Sequence, residues 1–394
     1  SYVCGETYGL PMIEALNVMD FDCFVLGNHE FDWGIDKIAA YADGDLTNGE
    51  ANFPFLGANI FYKGTTTRPD WIDAYTIVEY GDIKVGIIGI MGPGQESSIL
   101  TRYIKDYEFA DPNNIISENA QKLRSELGCS VVVVATHDYN TAINNKIAAL
   151  TGESRIDAIF CAHTHALVNE RLTRADGISI PVVQNFHKNV KATGVTINLD
   201  ESNKMISSTV NVYTPSNYSI SADVQNIINK YQELITISNQ SLGSTSSTIS
   251  ESTLGAYAVD AMLKWSYSES NFDGIDAAII NTGGVRAEIS SGYITRADVF
   301  EVFPFNNMVV LVNIKGSLIK SLYSNNKNYL YVAVTDSIGS YSNLNDNTIY
   351  QLAVIDYVFE NTRYTQFNNL STSEYLQTDV LMRDILIEYI DEKY

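Results

Sequence analysis

Three apolar segments of the chain each lead directly into histidine, and this repeated pattern constrains the fold more than any other feature. The segments and the loops that follow them are Phe24-Val25-Leu26 before Gly27-Asn28-His29-Glu30-Phe31-Asp32, Val131–Ala135 before Thr136-His137, and Ile156–Ala162 before His163-Thr164-His165. Apolar runs of this length, rich in β-branched residues, are typical of buried strands. Because α/β proteins place their chemistry in loops at strand ends, the sequence predicts three such loops carrying four of the five histidines.

Helix and strand patterns alternate through the first half of the chain. Apolar residues recur at helical spacing over 12–19 and 114–127, and Gly81-Asp82 is suited to a tight turn between strands over 75–80 and 83–90. After His165 the pattern changes to short strands, predicted over 181–184, 194–199 and 207–212. This order predicts a layered α/β fold.

The length of 394 residues favours two domains over one. A helix predicted over 221–237 is flanked by Ser-, Thr- and Asn-rich stretches, which are typical of a connection between domains. We therefore expect a first domain over 1–212, a connecting segment with a helix over 213–250, and a second domain over 251–394. The second domain is predicted to begin with a helix over 254–267 and to end with a strand over 347–355 and a helix over 375–389.

Composition excludes several classes of protein. The formal net charge of −22 argues against a nucleic-acid polymer as partner, because a basic face is needed to replace phosphate counterions. No apolar run approaches the roughly 20 residues of a membrane-spanning helix, and no signal-peptide pattern is visible at the N-terminus. The cysteines, none in CxxC spacing, are predicted to be free and buried: Cys4, Cys23, Cys129 and Cys161.

The three loops carry ligands that suit zinc, manganese, iron or cobalt, namely an amide oxygen and imidazole nitrogens. If the loops meet at one sheet edge, the residues around one or two metals would be Asn28, His137, His163 and His165. In an extended loop, the side chains of His163 and His165 would point to opposite sides, so that one imidazole could serve each of two metals. The alternative for the Asn28-His29-Glu30 loop alone is a surface turn with a capping Asn.

These loops resemble motifs of the calcineurin-like metallophosphoesterases. Together with Asn281-Thr282-Gly283-Gly284-Val285-Arg286 and Phe303-Pro304-Phe305-Asn306-Asn307, they are similar to those of the family of 5′-nucleotidases, UDP-sugar hydrolases and 2′,3′-cyclic-nucleotide phosphodiesterases. The resemblance extends over nearly the whole chain. It implies an α/β/β/α metallophosphoesterase sandwich joined to a smaller α/β substrate-binding domain.

The resemblance also implies two divalent metal ions, with Asn28, His137 and His163 at one and His165 at the other. His29, oriented by Asp32, would stabilise the phosphoryl transition state or the leaving oxygen; the alternative for Asp32 is a helix cap. Glu30 is interpreted as structural. The family's Asp-x-His and Gly-Asp motifs do not occur in this sequence, and their usual spacing places the bridging Asp just before Ser1. The second metal site is therefore expected to be incomplete, and hydrolysis by this chain impaired.

The Gly283-Gly284 turn exposes backbone amides and Arg286 adds a bidentate donor, a combination suited to phosphate or carboxylate. The alternative is an ordinary turn with a solvated Arg. The resemblance adds Asn281 to this turn and implies that Phe305 and Tyr357 sandwich a nucleobase, with Asn307 contacting it. Ser246-Ser247-Thr248 and Glu360-Asn361-Thr362-Arg363 replace the family's arginines and its Gly-Gly-Asp. His187 is predicted either to line the substrate cleft or to be structural.

The function expected from these features is hydrolysis of nucleotide phosphate esters. One alternative is a phosphodiesterase acting on 2′,3′-cyclic nucleotides or nucleotide sugars, and another is a catalytically silent nucleotide-binding protein. The resemblance further implies an extracellular, periplasmic or cell-surface location.

Overall fold

The structure, a computed structural model, describes residues 1–186, 190–269 and 272–394, so His187 lies outside the described residues. Contacts divide the chain into two compact units. The first unit consists of Met12–Ile99 and Tyr103–Ile227, and the second of Ser1–Pro11, Leu100–Arg102 and Ile228–Tyr394. The two units therefore do not follow one another simply along the sequence.

The α-helices of the described residues are, in chain order, α1 (Tyr2–Glu6), α2 (Leu10–Val18), α3 (Ile35–Ala39), α4 (Thr101–Ile104), α5 (Pro112–Ser125), α6 (Thr141–Ala148), α7 (Ala222–Lys230), α8 (Gln232–Ser238), α9 (Glu251–Lys264), α10 (Arg296–Val302), α11 (Gly316–Asn326), α12 (Asp356–Glu360) and α13 (Met382–Lys393). The helix predicted over 221–237 is present as α7 and α8, which are separated at Tyr231.

The β-strands of the described residues are β1 (Phe24–Val25), β2 (Phe55–Leu56), β3 (Ile60–Tyr62), β4 (Ile72–Asp73), β5 (Tyr75–Tyr80), β6 (Ile83–Met91), β7 (Tyr107–Phe109), β8 (Val131–His137), β9 (Ala158–Cys161), β10 (Val168–Thr173), β11 (Ser179–Gln184), β12 (Ala192–Leu199), β13 (Met205–Tyr213), β14 (Ser241–Thr245), β15 (Ser268–Glu269), β16 (Phe272–Asp273), β17 (Ala277–Asn281), β18 (Gly292–Thr295), β19 (Met308–Lys315), β20 (Leu330–Val334), β21 (Ile349–Ile355) and β22 (Tyr375–Leu381).

A six-stranded sheet in the order β10-β11-β9-β8-β6-β5 forms the centre of the first unit. β6, β8, β9 and β11 run parallel, and β5 joins β6 as the predicted antiparallel hairpin. Val132 and Val134 pack in one apolar cluster, whereas Val131 and Val133 pack in another. Burial on both faces explains why β8 is a continuous apolar run without alternation.

Helix α5 covers this sheet, as the amphipathic pattern predicts. It begins two residues earlier than predicted because the Asp111 side chain accepts a hydrogen bond from Asn113 N at 2.9 Å and Pro112 occupies the first turn. Its buried apolar face, Ile116, Ala120 and Leu123, packs with β6 and β8 residues in one cluster. The hydrogen bonds that the backbone and side chain of Asn113 donate to Asp111 lower the pKa of the Asp111 carboxyl.

A separate three-stranded sheet, β1-β2-β4, carries the strand that leads into Asn28. The expectation that all three histidine loops leave one sheet was therefore wrong, because β1 pairs with β2 and not with the strands that precede His137 and His163. Gly89 in β6 allows β2 to approach closely, since a Cβ at this position would lie 2.2 Å from Leu56 Cβ.

The second unit is built on a mixed five-stranded sheet in the order β20-β17-β21-β19-β22. β17 and β21 run parallel, and β19 is antiparallel to both of its neighbours. Leu254, Ala258 and Met262 of α9 are fully buried in the core of this unit. A mixed α/β fold with a smaller second domain is thus confirmed.

The single helix predicted over 375–389 was wrong, because its first half is a strand. β22 pairs with β19, with Gln377 opposite Val310, and Thr378 Oγ1 donates to Val309 O at 2.7 Å. Hydrogen bonding to the edge of β19 outweighs the helical tendency that the apolar spacing indicated. Helix α13 therefore begins only at Met382.

Candidate metal centre and substrate site

The loops after β8 and β9 leave the same edge of the six-stranded sheet. Met91 of β6 is opposite His137, and Thr136 of β8 is opposite Cys161. Because these strands are parallel, their carboxyl ends meet at one edge, where open α/β sheets place ligand sites. His137 is the last residue of β8, and His163 follows β9 by two residues.

Asn28 reaches the two histidines from the neighbouring sheet. Asn28 Oδ1 lies 2.9 Å from His137 Nε2 and 3.2 Å from His163 Nδ1. The two imidazole nitrogens are 3.3 Å apart, and the rings meet edge to face. Since Asn28 is 2% exposed, its side chain is held within the fold. One oxygen and two nitrogens thus converge on one point.

The loop that carries Asn28 is shaped by Gly27, to which sequence reasoning gave no role, and by Glu30, which it interpreted as structural. A Cβ at Gly27 would lie 2.4 Å from the His137 ring, so only glycine admits that ring without displacement. Glu30 Oε2 accepts a hydrogen bond from Gly27 N at 2.7 Å, which closes the turn, while burial raises the pKa of the Glu30 carboxyl. The sequence signal for this packing was the glycine immediately before Asn28.

His163 and His165 both adopt left-handed backbone conformations, with φ of 70° and 59°. The prediction of an extended His-x-His loop was therefore wrong, and opposite side-chain directions do not follow from strand geometry. His165 is exposed, and its charge is one of the causes that lower the pKa of His137. Left-handed conformations are uncommon for residues other than glycine and cluster at functional sites.

His29, which directly follows Asn28 in the sequence, forms a pair with Asp32. His29 Nδ1 and Asp32 Oδ2 are 2.9 Å apart, with side-chain exposures of 43% and 22%. Asp32 N contacts His29 O within the same turn. A carboxylate that accepts a hydrogen bond from Nδ1–H fixes the tautomer and orientation of an imidazole. Nε2 then has no proton in the neutral form of the ring and carries one in the charged form.

The triangle fits part of a metal site. Ligand atoms at about 2.0–2.1 Å from a metal lie roughly 2.8–3.4 Å from each other in octahedral or tetrahedral centres, a range that includes the separations of 2.9, 3.2 and 3.3 Å. Burial, then the neighbouring His163, His29 and His165, lower the pKa of His137 to about 4, so that its imidazole is neutral at pH 7, as a ligand must be. Within the described residues, no group of three or more His, Cys, Asp or Glu is placed to hold a metal ion.

The predicted substrate residues of the second unit lie at one edge of its sheet. Asn281 ends β17, and Tyr357 follows β21, which is parallel to β17. Phe305 and Asn307 precede β19, and Val309 at its start is opposite Ile355 at the end of β21. The topology therefore brings three separate loops to the same edge.

Two pairs of predicted residues lie close to each other within this group of loops. Asn281 Oδ1 is buried without a hydrogen-bond partner in the described structure, and a Cβ at Gly284 would lie 3.1 Å from it. The Arg286 guanidinium stands over the Phe305 ring at 5.9 Å. Gly283, which lies between Asn281 and Gly284 in the sequence, belongs to the 3-10 turn Thr282–Gly284.

Asn307 and Tyr357 are joined through Asp356, a buried residue that sequence reasoning did not assign. Asp356 Oδ1 accepts hydrogen bonds from Asn307 Nδ2 at 2.9 Å and from Tyr357 N at 2.8 Å. Burial raises the pKa of the Tyr357 hydroxyl. The available signal was the position of Asp356 directly after the apolar strand β21.

Comparison with known proteins agrees with this two-part organisation. The sequence profile of "Calcineurin-like phosphoesterase" matches residues 7–167, and that of "5'-nucleotidase, C-terminal domain" matches residues 231–336. The chain belongs to the calcineurin-like phosphoesterases with a 5′-nucleotidase C-terminal domain. These are phosphoesterase hydrolases, and Asn28, His29, His137, His163 and His165 all lie within the phosphoesterase match.

Similar proteins include "Endonuclease YhcR" of Bacillus subtilis, 27% identical over 79% of this chain and 26% of its own length. The "5'-nucleotidase" of Bos taurus is 26% identical over 80% of this chain and 59% of its own length. This calcineurin-like phosphoesterase therefore spans less than two thirds of either relative. The crystal structure of a "5'-nucleotidase precursor" from Thermus thermophilus shares its fold, with a TM-score of 0.81, 19% identity, and coverage of 99% of this chain and 84% of that one.

Among the described residues, no helix of this phosphoesterase has both the length and the apolar content needed to cross a bilayer.

Proposed function

We propose that this protein hydrolyses phosphate esters of nucleotides with two divalent metal ions such as zinc or manganese. The observation that carries the proposal is the convergence of Asn28 Oδ1, His137 Nε2 and His163 Nδ1 to within 3.3 Å of one another. These residues would hold one metal, whereas the second would keep only His165, because the family's Asp-x-His and Gly-Asp motifs do not occur in this sequence. Hydrolysis by this chain would accordingly be impaired. When bound, such metals activate a hydroxide and neutralise charge on the phosphoryl oxygens.

His29 would act at the reacting phosphoryl group. Its contact with Asp32 orients the ring, and the charged form would donate from Nε2 to a phosphoryl or leaving oxygen. Asp32 would remain ionised and stabilise the imidazolium. The partial exposure of both side chains is compatible with contact to a substrate.

The substrate's nucleoside would bind at the edge of the second unit's sheet. Asn281, Gly283, Gly284 and Arg286 would contact its polar groups, whereas Phe305 and Tyr357 would stack on the base and Asn307 would contact the base edge. The Arg286 guanidinium over Phe305 would place positive charge beside the bound nucleotide. Such a nucleotide is an anion, so this acidic chain would have to concentrate positive charge locally, at the metal ions and at Arg286.

The test is a comparison of AMP, 2′,3′-cyclic AMP and UDP-glucose as substrates, in the presence of manganese or zinc and after chelation with EDTA. The proposal predicts metal-dependent release of phosphate from AMP at the highest rate. A higher rate on the cyclic nucleotide or the nucleotide sugar would favour a phosphodiesterase. Binding of AMP without turnover of any of the three would indicate a silent nucleotide-binding protein.

An extracellular, periplasmic or cell-surface location is a further part of this proposal and rests on the family. Fractionation of cells that express the natural gene, followed by immunodetection in the medium, surface and interior fractions, tests it. Detection of the protein only in the interior would refute it.

A further inference from the structure

A buried carboxylate connects the two residues proposed to contact the nucleobase. The Asp356 side chain is 1% exposed and begins α12, immediately after β21. Its Oδ1 receives both the Asn307 amide and the Tyr357 backbone N–H. The direction of the Asn307 amide and the start of the helical turn that carries Tyr357 therefore depend on this one oxygen.

Arg102 holds the other oxygen of the same carboxylate. Arg102 Nη2 donates to Asp356 Oδ2 at 2.6 Å, while Nη1 donates to Glu360 Oε1 at 2.6 Å. Asp356 and Glu360 are the first and last residues of α12, so one guanidinium bridges both ends of this short helix. The segment Leu100–Arg102 belongs to the second unit by its contacts, although Arg102 precedes Asp356 by 254 positions.

The charges make this arrangement depend on arginine. A buried carboxylate is unfavourable unless it is paired and hydrogen-bonded, and two carboxylates four residues apart on a helix repel each other. Arg102, with a side chain 31% exposed, compensates both Asp356 and Glu360, which are 1% and 14% exposed. A planar guanidinium can contact two carboxylates at once, whereas the ammonium of lysine is a point charge on a flexible chain.

We infer that Arg102 is a positioning residue for nucleobase recognition. It fixes Asp356, and through Asp356 it fixes the Asn307 amide and the Tyr357 ring, without itself touching the nucleotide. Without Arg102, the buried Asp356 carboxylate would lose its charged partner and rearrange towards water, and the Asn307 amide would lose its fixed direction. This inference rests on the proposed role of Asn307 and Tyr357.

The experiment measures adenosine binding by calorimetry to the full chain and to Arg102→Lys and Arg102→Met. Adenosine carries the base and sugar but no phosphate, so its affinity reports the second-unit site without requiring hydrolysis. The matched control is Lys320→Met, which removes another ion pair of the same unit, with Asp346 on the surface. We expect Arg102→Met to weaken adenosine binding about tenfold or more and Arg102→Lys to weaken it about threefold or more, whereas Lys320→Met stays within about twofold.

Thermal unfolding and the affinity for inorganic phosphate distinguish positioning from general damage. The inference predicts that the folded Arg102→Lys protein loses adenosine affinity but keeps its phosphate affinity, and this variant decides the matter if Arg102→Met does not fold. Unchanged adenosine affinity, an equal loss of phosphate affinity, or a wild-type chain that does not bind adenosine would each overturn it. If the Arg102 variants lose adenosine affinity as predicted but the wild-type chain does not hydrolyse AMP, the proposed function is refuted and the positioning role of Arg102 is supported.

Discussion

The side chains of Asn28 and His137 meet at 2.9 Å although 109 positions separate them in the chain. Asn28 follows a strand of the three-stranded sheet and His137 ends a strand of the six-stranded sheet, so their contact depends on how closely the two sheets approach. Gly27 and Gly89 lie at the two points of close approach. The candidate metal centre is therefore a product of sheet packing as much as of its ligands.

Replacement of Gly27 by alanine should disrupt the metal centre. The new Cβ would lie 2.4 Å from the His137 ring, which has to move away from Asn28. We expect loss of bound zinc, measured by elemental analysis. Gly86→Ala is the control, because its Cβ would meet Leu123 Cδ1 at 2.8 Å, the end of a flexible side chain remote in sequence from the ligands. Equal zinc content in Gly27→Ala and wild type would contradict the proposed packing.

His163→Ala should abolish metal-dependent hydrolysis and leave the fold intact. His163 contributes one of the three converging donor atoms and is partly exposed, so its loss removes a ligand without opening a core cavity. Metal content, AMP hydrolysis and circular dichroism are measured on the same preparation. Glu79→Gln, which breaks an exposed ion pair with Lys84 in the same unit, serves as control. Retention of hydrolysis by His163→Ala would refute the metal assignment.

The metal-free protein should lose stability as the pH is lowered from about 6.5 towards 4. Burial and neighbouring imidazoles lower the pKa of folded His137 to about 4, whereas an unfolded histidine titrates near 6.5. Between these values the unfolded chain binds a proton that the folded chain does not, so the free energy of unfolding falls with falling pH and levels off below about 4.

Urea unfolding in EDTA at a series of pH values measures this effect. Since the carboxyl groups of the chain also take up protons as the pH is lowered, the informative quantity is the difference between wild type and His137→Gln. As the pH falls from about 6.5 to 4, the free energy of unfolding should decrease more for wild type than for His137→Gln. If the free energy of unfolding depends on pH in the same way for both proteins, His137 does not contribute to the pH dependence of stability.

Phe305→Leu should weaken nucleotide binding. Loss of a stacking ring costs about 1–3 kcal/mol per base, or roughly 5- to 150-fold in affinity. The increase in KM should be large for AMP and small for ribose 5-phosphate, which has no aromatic ring to stack. Tyr293→Leu, at a ring that is 79% exposed in the same unit, is the control. A similar change in KM for both substrates would contradict stacking on Phe305.

Asn59→Ala should destabilise the first unit. Asn59 is fully buried; its Nδ2 donates to Met91 O and Ala110 O at 2.9 and 3.0 Å, and its Oδ1 accepts from Met91 N at 3.0 Å. Truncation leaves buried backbone groups unpaired, which costs about 1–3 kcal/mol. Denaturant unfolding tests this, with the exposed Asn48→Ala as control. Because Met91 is opposite His137, metal affinity should fall as well.

The local chemistry of this protein could be predicted from the sequence, because burial patterns and turn residues are local. The apolar run of β8, the hairpin of β5 and β6, and most of the helix α5 follow from the spacing of apolar residues and from turn residues, whereas the cap by Asp111 and Pro112 that sets the start of α5 was not predicted. Histidine and asparagine at strand ends were sufficient to select the candidate ligands.

The tertiary structure decided which of these elements meet. Apolar spacing reports that a strand is buried but not which strand it pairs with, so neither the separate sheet of β1 nor the strand β22 within an apparent helix could be found from periodicity. The link from Arg102 through Asp356 to Asn307 is also invisible in sequence, since hydrogen bonds between distant side chains leave no periodic signal. The sequence determined the donors and acceptors, whereas the packing of sheets and loops determined their partners.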